Sequence, residues 1–331
     1  MTLVFDRHRP IDSPALAPGH DDFDRRDDHR PEVTIGLINN MPDSALKSTE
    51  RQFARLLQAV AGGVRIRLHC FALHSVRRSS AARLLVERNY RDIADLGRLP
   101  IDALIVTGAE PVARTLQDEP YWRELTELID WAGSNARSTI WSCLAAHAAV
   151  LHLDGIERHR LPRKCSGIYN CAGVADHWLT RNVQAPLKVS HSRLNELRES
   201  ELAARGYQIL TRSDDAGVDV FARQGPGRFI FFQGHPEYDA LSLQREYMRD
   251  VARFLSGKRD DFPPIPACYF DTETEAVLAG FERRAKAARE PTLAAELPGL
   301  TLRADIAAGS AAAILFRNWV GFLAEIVTAA R

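Results

Sequence analysis

Apolar segments typical of buried strands alternate with helical segments through the first half of the chain. The strand-like runs cover residues 33–38, 64–71, 101–107 and 139–142, and helical periodicity fills 48–61, 121–132 and 144–153. This alternation predicts a doubly wound, mostly parallel sheet, because parallel strands need long crossover connections. Ligands of such sheets bind at the carboxyl ends of the strands, so functional residues are expected in the loops that follow them.

The second half of the chain changes character. Residues 218–223 and 228–233 flank a Gly-Pro-Gly turn, which predicts a hairpin that adds antiparallel pairing to the sheet. Helices are predicted at 241–256, 273–289 and 308–330. The last two are expected to pack on the core or on a second subunit.

Three regions follow from these patterns. Residues 1–30 are polar and predict a flexible arm, 31–258 an α/β domain, and 259–331 a helical C-terminal extension.

Lys+Arg equals Asp+Glu at 43 each, so no net field favours nucleic acid or an anionic membrane. No apolar run is long enough to span a membrane and the N-terminal residues contain no signal-peptide region, so a cytoplasmic location is expected.

Cysteine usage argues against both a disulfide framework and a metal site. Five cysteines are an odd number without repeated spacing, which favours reduced thiols. Cys165 and Cys171 lack the close pairing of a zinc site, so no metal is expected.

Cys143 stands between a strand-like run and an Ala-rich helical run. A sharp turn there would aim the side chain, and the N-terminus of the following helix favours a thiolate. His235 and Glu237 follow another strand-like run and supply a base and a carboxylate that orients it. Either piece alone is often structural, since a lone cysteine is a small core residue. Together they predict a thiol nucleophile with a histidine–carboxylate pair.

Seven short motifs occur in order along the chain. They are Ile-Asn-Asn-Met-Pro (38–42), Leu-Ile-Val-Thr-Gly-Ala (104–109), Tyr-Trp (121–122), Ser-Gly-Ile-Tyr (166–169), His-Ser-Arg (191–193), Gly-His-Pro-Glu-Tyr-Asp (234–239) and Arg-Asp-Val (249–251), with a further Asn-Trp pair at 318–319. Their order and spacing resemble the homoserine O-acyltransferases of the homoserine O-succinyltransferase type. The resemblance implies the class I glutamine-amidotransferase-like variant of the flavodoxin-type sheet.

The resemblance also implies an activity, which is acyl transfer from a CoA thioester to the hydroxyl of L-homoserine in methionine biosynthesis. Cys143 would carry the acyl group, His235 would accept the proton and Glu237 would be its partner. Succinyl-CoA is favoured over acetyl-CoA as the donor. No cofactor is implied, because the CoA thioester is a co-substrate, and a homodimer is the expected assembly.

Lys164, Ser192 and Arg249 fall on the substrate-contacting positions of that family. A planar guanidinium suits the carboxylate of homoserine, and Lys164 could accompany the second carboxylate that a succinyl group adds. From the residues alone, Arg249 is more typical of a solvated or salt-bridged helix residue. Lys164 lies beside Arg160 and Arg163, which indicates a basic surface cluster.

Attack on a thioester creates an oxyanion that needs donors. The candidates are the backbone N–H groups of Gly108, Ala109 and Leu144. The chain then departs from the family, because Glu110 precedes the expected proline and Val112 falls on the position that sorts acetyl from succinyl donors. Since Glu or Gly is the family's residue there, the donor stays open, and L-serine remains an alternative acceptor.

Two functions from other classes stay open. A glutaminase of the same fold usually has Gly two residues before and after its nucleophile, where this chain has Trp141 and Ala145. It also needs a synthase partner to use the ammonia. A non-catalytic binding module would fit the sheet, but the complete set of Cys, His and Glu argues against it.

Overall fold

The computed structural model describes residues 3–6, 30–184, 186–225, 227–306 and 313–330. Its strands are β1 (Leu3–Asp6), β2 (Glu32–Ile38), β3 (Arg65–Phe71), β4 (Ala103–Val106), β5 (Ser138–Ser142), β6 (His159–Gly173), β7 (Leu187–Glu196), β8 (Gln208–Ser213), β9 (Gly217–Arg223) and β10 (Phe229–Phe232). Its α-helices are α1 (Leu46–Val60), α2 (Ser80–Asn89), α3 (Trp122–Asn135), α4 (Leu144–Asp154), α5 (Glu199–Ala204), α6 (Ser242–Leu255), α7 (Thr272–Ala288) and α8 (Ala313–Ala329).

The strands form one sheet in the order β1-β3-β2-β4-β5-β10-β9-β8-β6-β7. The first six in this order run parallel, and each later pairing is antiparallel. The predicted doubly wound, mostly parallel sheet is therefore confirmed for the half that carries Cys143. The predicted hairpin is also confirmed as β9–β10, although Pro226 in its turn lies outside the described residues.

Buried apolar runs explain why the central strands form. β4 and β5 are buried along their whole lengths, as strands covered on both faces of a parallel sheet should be. On one face, α1 buries Phe53, Leu57 and Val60. α8 packs against α1 there, with the rings of Phe53 and Phe316 6.3 Å apart.

The C-terminal helices have different partners. α8 joins the main core, where Trp319 donates a hydrogen bond from its indole nitrogen to the Ser138 hydroxyl at 3.0 Å. α7 instead packs with α6 in a separate apolar cluster, which includes Tyr247, Phe254 and Phe281. This cluster fixes the outer side of α6, whose opposite face carries residues of the candidate site.

The predicted flexible arm over residues 1–30 contains an ordered strand. β1 pairs in parallel with β3, and Leu3 is buried. The physical reason is that an unpaired edge of β3 offers backbone groups to the short apolar run at 3–5. Residues 7–29, which hold the polar part of the arm, lie outside the described residues.

Residues 159–213 carried no strand prediction, yet they form β6, β7 and β8. β6 has 15 residues and pairs with β7, with a register shift between Arg160 and Cys165. Its first half, with charged residues and Pro162, shows no alternating pattern, so the residues of this segment do not predict a strand. No helix in the described part of the chain is long and apolar enough to cross a membrane.

Candidate active site

Cys143 lies at the tip of a tight turn between β5 and α4. Its backbone has φ 53° and ψ −115°, a conformation that is rare for a residue with a side chain. The turn is held because its N–H donates to the Phe232 carbonyl of β10 at 2.7 Å. The thiol is partly exposed and stands at the N-terminus of α4. This is the aimed, helix-backed position that a nucleophile needs.

His235 and Glu237 follow the carboxyl end of β10, the strand next to β5. The Nδ1 of His235 lies 2.9 Å from the Oε1 of Glu237, and the two side chains are only 6% and 5% exposed. Burial by itself lowers the pKa of His235, but the charges of Glu237 and Cys143, with hydrogen bonds to both, raise this pKa well above its usual value. The structure thus brings the three predicted catalytic residues together.

Gly234 permits the backbone approach that places His235. A Cβ at this position would lie 2.5 Å from Oδ1 of Asp219 and 2.6 Å from Val189, so any other residue would force the strands apart. The N–H of His235 then donates to the Ser190 carbonyl of β7 at 2.7 Å. Contacts with β7 and β9 therefore fix the backbone position of His235.

A buried polar cluster supports Gly234. The donor atoms of Cys171, His191 and Asp219 lie within 4.8 Å of one another and are the described groups that could share a metal ion. Burial raises the pKa of Cys171 and lowers that of His191, so both are neutral. Arg193 donates from Nε to Nδ1 of His191 at 3.4 Å. The cluster therefore forms a buried polar support against Gly234.

The residues predicted to supply the oxyanion donors also lie close together. A Cβ on Gly108 would lie 2.8 Å from the Cβ and 3.1 Å from the backbone nitrogen of Leu144, so only glycine allows this approach. Leu144 is the first residue of α4, and its N–H is one of the unpaired donors of a helix N-terminus. Ala109 follows Gly108 and is partly exposed.

Lys164, Ser192 and Arg249 converge on two acidic residues of α6. Lys164 donates to Asp250 at 2.9 Å and to Glu246 at 3.4 Å. Ser192 donates to Glu246, and Arg249 donates to Asp250 from Nε at 3.0 Å. The Lys164 side chain is 8% exposed, so its predicted membership in a basic surface cluster is wrong. The register shift in β6 lets this lysine turn inward, while Arg160 and Arg163 remain exposed.

Sequence reasoning missed Glu246 and the role of Tyr238. The Tyr238 ring stacks on the His235 ring at 4.2 Å between centroids, and its hydroxyl donates to Glu246 at 2.6 Å. Burial raises the pKa of Glu246, but Lys164, Ser192 and Tyr238 bring it below the usual value, so the carboxylate is charged. The available signal was spacing, since Glu246 precedes Arg249 by three residues on one helix face.

Val112 lies in the loop after β4. The residue is 57% exposed, and its N–H donates to Glu119 at 2.9 Å. Val112 lines a cavity of about 340 Å³ together with Asn40, Glu110 and Tyr121. The predicted donor-sorting position therefore faces an open cavity.

The chain matches the homoserine O-succinyltransferase family over residues 20–329. It belongs to that family. A homoserine O-succinyltransferase from Bradyrhizobium japonicum is 64% identical over 326 residues, which cover 98% of this chain and 100% of that protein. One from Rhodopseudomonas palustris is 58% identical over 331 residues, covering 98% and 99%. The resemblance seen in the motifs is thus confirmed.

Solved structures are also similar to this member of the homoserine O-succinyltransferase family. A glutamine amidotransferase from Thermotoga maritima has 12% identity and a TM-score of 0.49, covering 88% of this chain and 98% of its own. One from Methylobacillus flagellatus has 14% identity and a TM-score of 0.46, covering 90% and 94%.

Proposed function

We propose that the protein transfers a succinyl group from succinyl-CoA to the hydroxyl of L-homoserine, through a thioester on Cys143. Such a reaction serves methionine biosynthesis. The observation that carries the proposal is that His235 interacts with both Cys143 and Glu237 at adjacent strand ends. Membership in the homoserine O-succinyltransferase family supports the choice of donor and acceptor.

In the first half-reaction, the sulfur of Cys143 attacks the thioester carbonyl while His235 holds the thiol proton. The oxyanion is received by the N–H groups of Leu144 and the Gly108–Ala109 turn, and losing one such donor typically costs about 2.7–4 kcal/mol of barrier. The carbon–sulfur bond to CoA then breaks. His235 returns the proton to the departing CoA thiolate, and Glu237 keeps the imidazole in the required tautomer.

In the second half-reaction, the homoserine hydroxyl attacks the acyl group on Cys143. His235 takes the hydroxyl proton and gives it to the cysteine sulfur as the thioester breaks. The charges beside Tyr238 suit an amino acid, because Arg249 offers a fork for the α-carboxylate and Glu246 a carboxylate for the ammonium. Tyr238 contacts both His235 and Glu246, so it links acceptor binding to the base.

A steady-state panel tests the proposal by crossing succinyl-CoA and acetyl-CoA with L-homoserine and L-serine. We expect the highest kcat/KM for succinyl-CoA with homoserine, and parallel lines in double-reciprocal plots, because the thiol must be acylated before the acceptor reacts. Intersecting lines would instead indicate direct transfer in a ternary complex. Ammonia release from glutamine, without acyl transfer, would favour the glutaminase alternative.

The matched control for the thiol is Cys165. This cysteine is also partly buried, and burial raises the pKa of its thiol. Cys165→Ser should keep wild-type rates with each pair of substrates. A loss of activity in that variant as large as in Cys143→Ser would move the nucleophile away from Cys143.

A further inference from the structure

Asp250 is a buried carboxylate on α6 that holds cations from three segments of the chain. Its side chain is 4% exposed. Lys164 of β6 donates to its Oδ2 at 2.9 Å, Arg249 of α6 donates to its Oδ1, and Nη1 of Arg259, after α6, lies 3.5 Å from Oδ2. Burial raises the pKa of Asp250, but Lys164 and Arg249 bring it below its usual value, so the carboxylate is charged. Asp250 is thus a fixed anion around which these cations are arranged.

Asp250 determines which edge of the Arg249 guanidinium is free. Nε and Nη2 of Arg249 lie 3.0 and 2.9 Å from the same Oδ1, so this edge faces the buried carboxylate. Nη1 has no hydrogen-bond partner among the described residues, and the Arg249 side chain is 39% exposed. A guanidinium has five N–H donors in a rigid fork, so Nη1 and Nη2 can still bind a second carboxylate. The outer edge of Arg249 is therefore available to a ligand.

The same carboxylate limits how far Lys164 neutralises Glu246. The ammonium of Lys164 lies 2.9 Å from Asp250 and 3.4 Å from Glu246, so its shorter hydrogen bond goes to Asp250. Glu246 otherwise accepts hydrogen bonds from the neutral hydroxyls of Ser192 and Tyr238. Because hydroxyls carry no charge, the Glu246 carboxylate remains able to pair with an ammonium ion.

A continuous set of contacts joins these ion pairs to His235. The Tyr238 ring stacks on the His235 ring, with centroids 4.2 Å apart, and its hydroxyl donates to Glu246 at 2.6 Å. Glu246 in turn accepts from Lys164. Three cations surround the two carboxylates of α6, so one positive charge is left over. A ligand beside His235 would therefore meet both an unbalanced positive charge and a carboxylate.

We infer that Asp250 is a positioning residue for the acceptor, which directs the outer edge of Arg249 at the acceptor's α-carboxylate and keeps Lys164 from saturating Glu246. The inference rests on the proposed function. Without Asp250, the guanidinium would lose its fixed orientation. Lys164 would move onto Glu246 and compete there with the ammonium of the acceptor. Asp250 therefore sets the preference for acceptors that carry an α-carboxylate as well as an ammonium.

The test compares two acceptors, which are L-homoserine and propanolamine, the same molecule without its carboxylate. Wild-type protein should prefer homoserine. We expect Asp250→Asn to lower the ratio of the two kcat/KM values by roughly tenfold to a hundredfold, as the loss of a positioned, charged hydrogen bond would. Acylation of Cys143 by succinyl-CoA, measured without an acceptor, should stay near the wild-type rate, because the partners of Asp250 are the cations of the acceptor site.

Asp239→Asn is the matched control. Asp239 pairs with Arg245 of the same helix at 2.6 Å, so this variant removes the carboxylate of another arginine pair at α6. It should keep the wild-type acceptor ratio whatever it does to the stability of the fold. A double variant that combines Asp250→Asn with Arg249→Lys should lose no more of the ratio than the poorer single variant, because both changes act on the same fork.

An unchanged ratio in Asp250→Asn would overturn the inference, as would an equal loss in Asp239→Asn or losses that multiply in the double variant. Acylation that slows as much as transfer would show a general structural role instead. If Asp250→Asn does not fold, Asp250→Glu decides, because it keeps the charge but moves the carboxylate by one methylene group. An intermediate ratio in that variant supports the inference, and a wild-type ratio overturns it.

The outcomes also separate this inference from the proposed function. Wild-type protein that forms no acyl adduct with succinyl-CoA would remove the proposed function and this inference together. Normal succinyl transfer in the wild-type protein, with a wild-type acceptor ratio in the Asp250 variants, would remove this inference alone.

Discussion

The two halves of the sheet contribute different kinds of residue to the candidate site. The parallel half provides Cys143, His235 and the Gly108–Leu144 contact, each fixed by a backbone turn at a strand end. The antiparallel half and α6 provide Lys164 and Glu246, which are fixed by side-chain hydrogen bonds to each other. In the proposed function, the chemistry therefore depends on backbone geometry and substrate recognition depends on a network of side-chain hydrogen bonds.

The comparison predicts the largest effect for the nucleophile. Cys143→Ala should reduce kcat/KM by roughly 10⁴-fold or more, because no other described thiol stands between a strand and the N-terminus of the helix that follows it. Thermal unfolding should change little, since the side chain is small and partly exposed. Steady-state assays with succinyl-CoA and homoserine measure the loss. Retention of more than a tenth of the activity would break the assignment of chemistry to the parallel half.

His235 and Glu237 should act as one catalytic unit. Glu237→Gln and His235→Asn are each expected to lower kcat by about 10²–10⁴-fold, the usual worth of a positioned acid–base group. The double variant should be little worse than the poorer single variant, because Glu237 works through His235. Losses that multiply in the double variant would show two independent roles.

The ionic network should give a smaller and more selective effect. Arg249→Lys keeps the charge but removes the planar fork, so we expect kcat/KM for homoserine to fall roughly tenfold to a hundredfold. The rate of Cys143 acylation by succinyl-CoA, measured in the absence of homoserine, should stay near the wild-type value. The control is Arg245→Lys on the same helix, where the arginine pairs with Asp239. If Arg249→Lys slows acylation as much as transfer, the division between the two halves is wrong.

The smallest expected effect is on stability. Because the pKa of His235 is raised in the folded protein, its protonated form stabilises the fold fully below the unfolded pKa of about 6.5. That contribution is lost as pH rises through the raised folded value. Urea unfolding over this window should show wild-type stability falling with pH. Glu237→Gln should show a weaker fall, because the carboxylate that raises this pKa is gone, and equal slopes would contradict the pairing.

Sequence alone predicted the parallel half well, because its signals are local. Apolar runs predict β2, β4 and β5. The change from a strand-like run to an Ala-rich helical run, within the ten residues 138–147, indicates the special position of Cys143. These signals also placed the predicted catalytic residues at strand ends. Their mutual distances still needed the structure, since β5 and β10 are far apart along the chain.

The antiparallel half was poorly predicted, because its contacts depend on residues distant in sequence. Lys164 and Asp250 are 86 positions apart, and neither has a local pattern that predicts their hydrogen bond. The charged start of β6 resembles a surface loop until its pairing with β7 is known. Glu246 was missed for the same reason, as its importance lies in the residues that surround it.

Intact-protein mass spectrometry tests the central claim most directly. The protein is mixed with succinyl-CoA, with and without L-homoserine, and Cys143→Ala is treated in parallel. We predict that wild-type protein gains the mass of one succinyl group, that peptide mapping places it on Cys143, and that homoserine discharges it. Transfer that proceeds without any adduct, or an adduct that persists on another residue in Cys143→Ala while activity remains, would contradict the account.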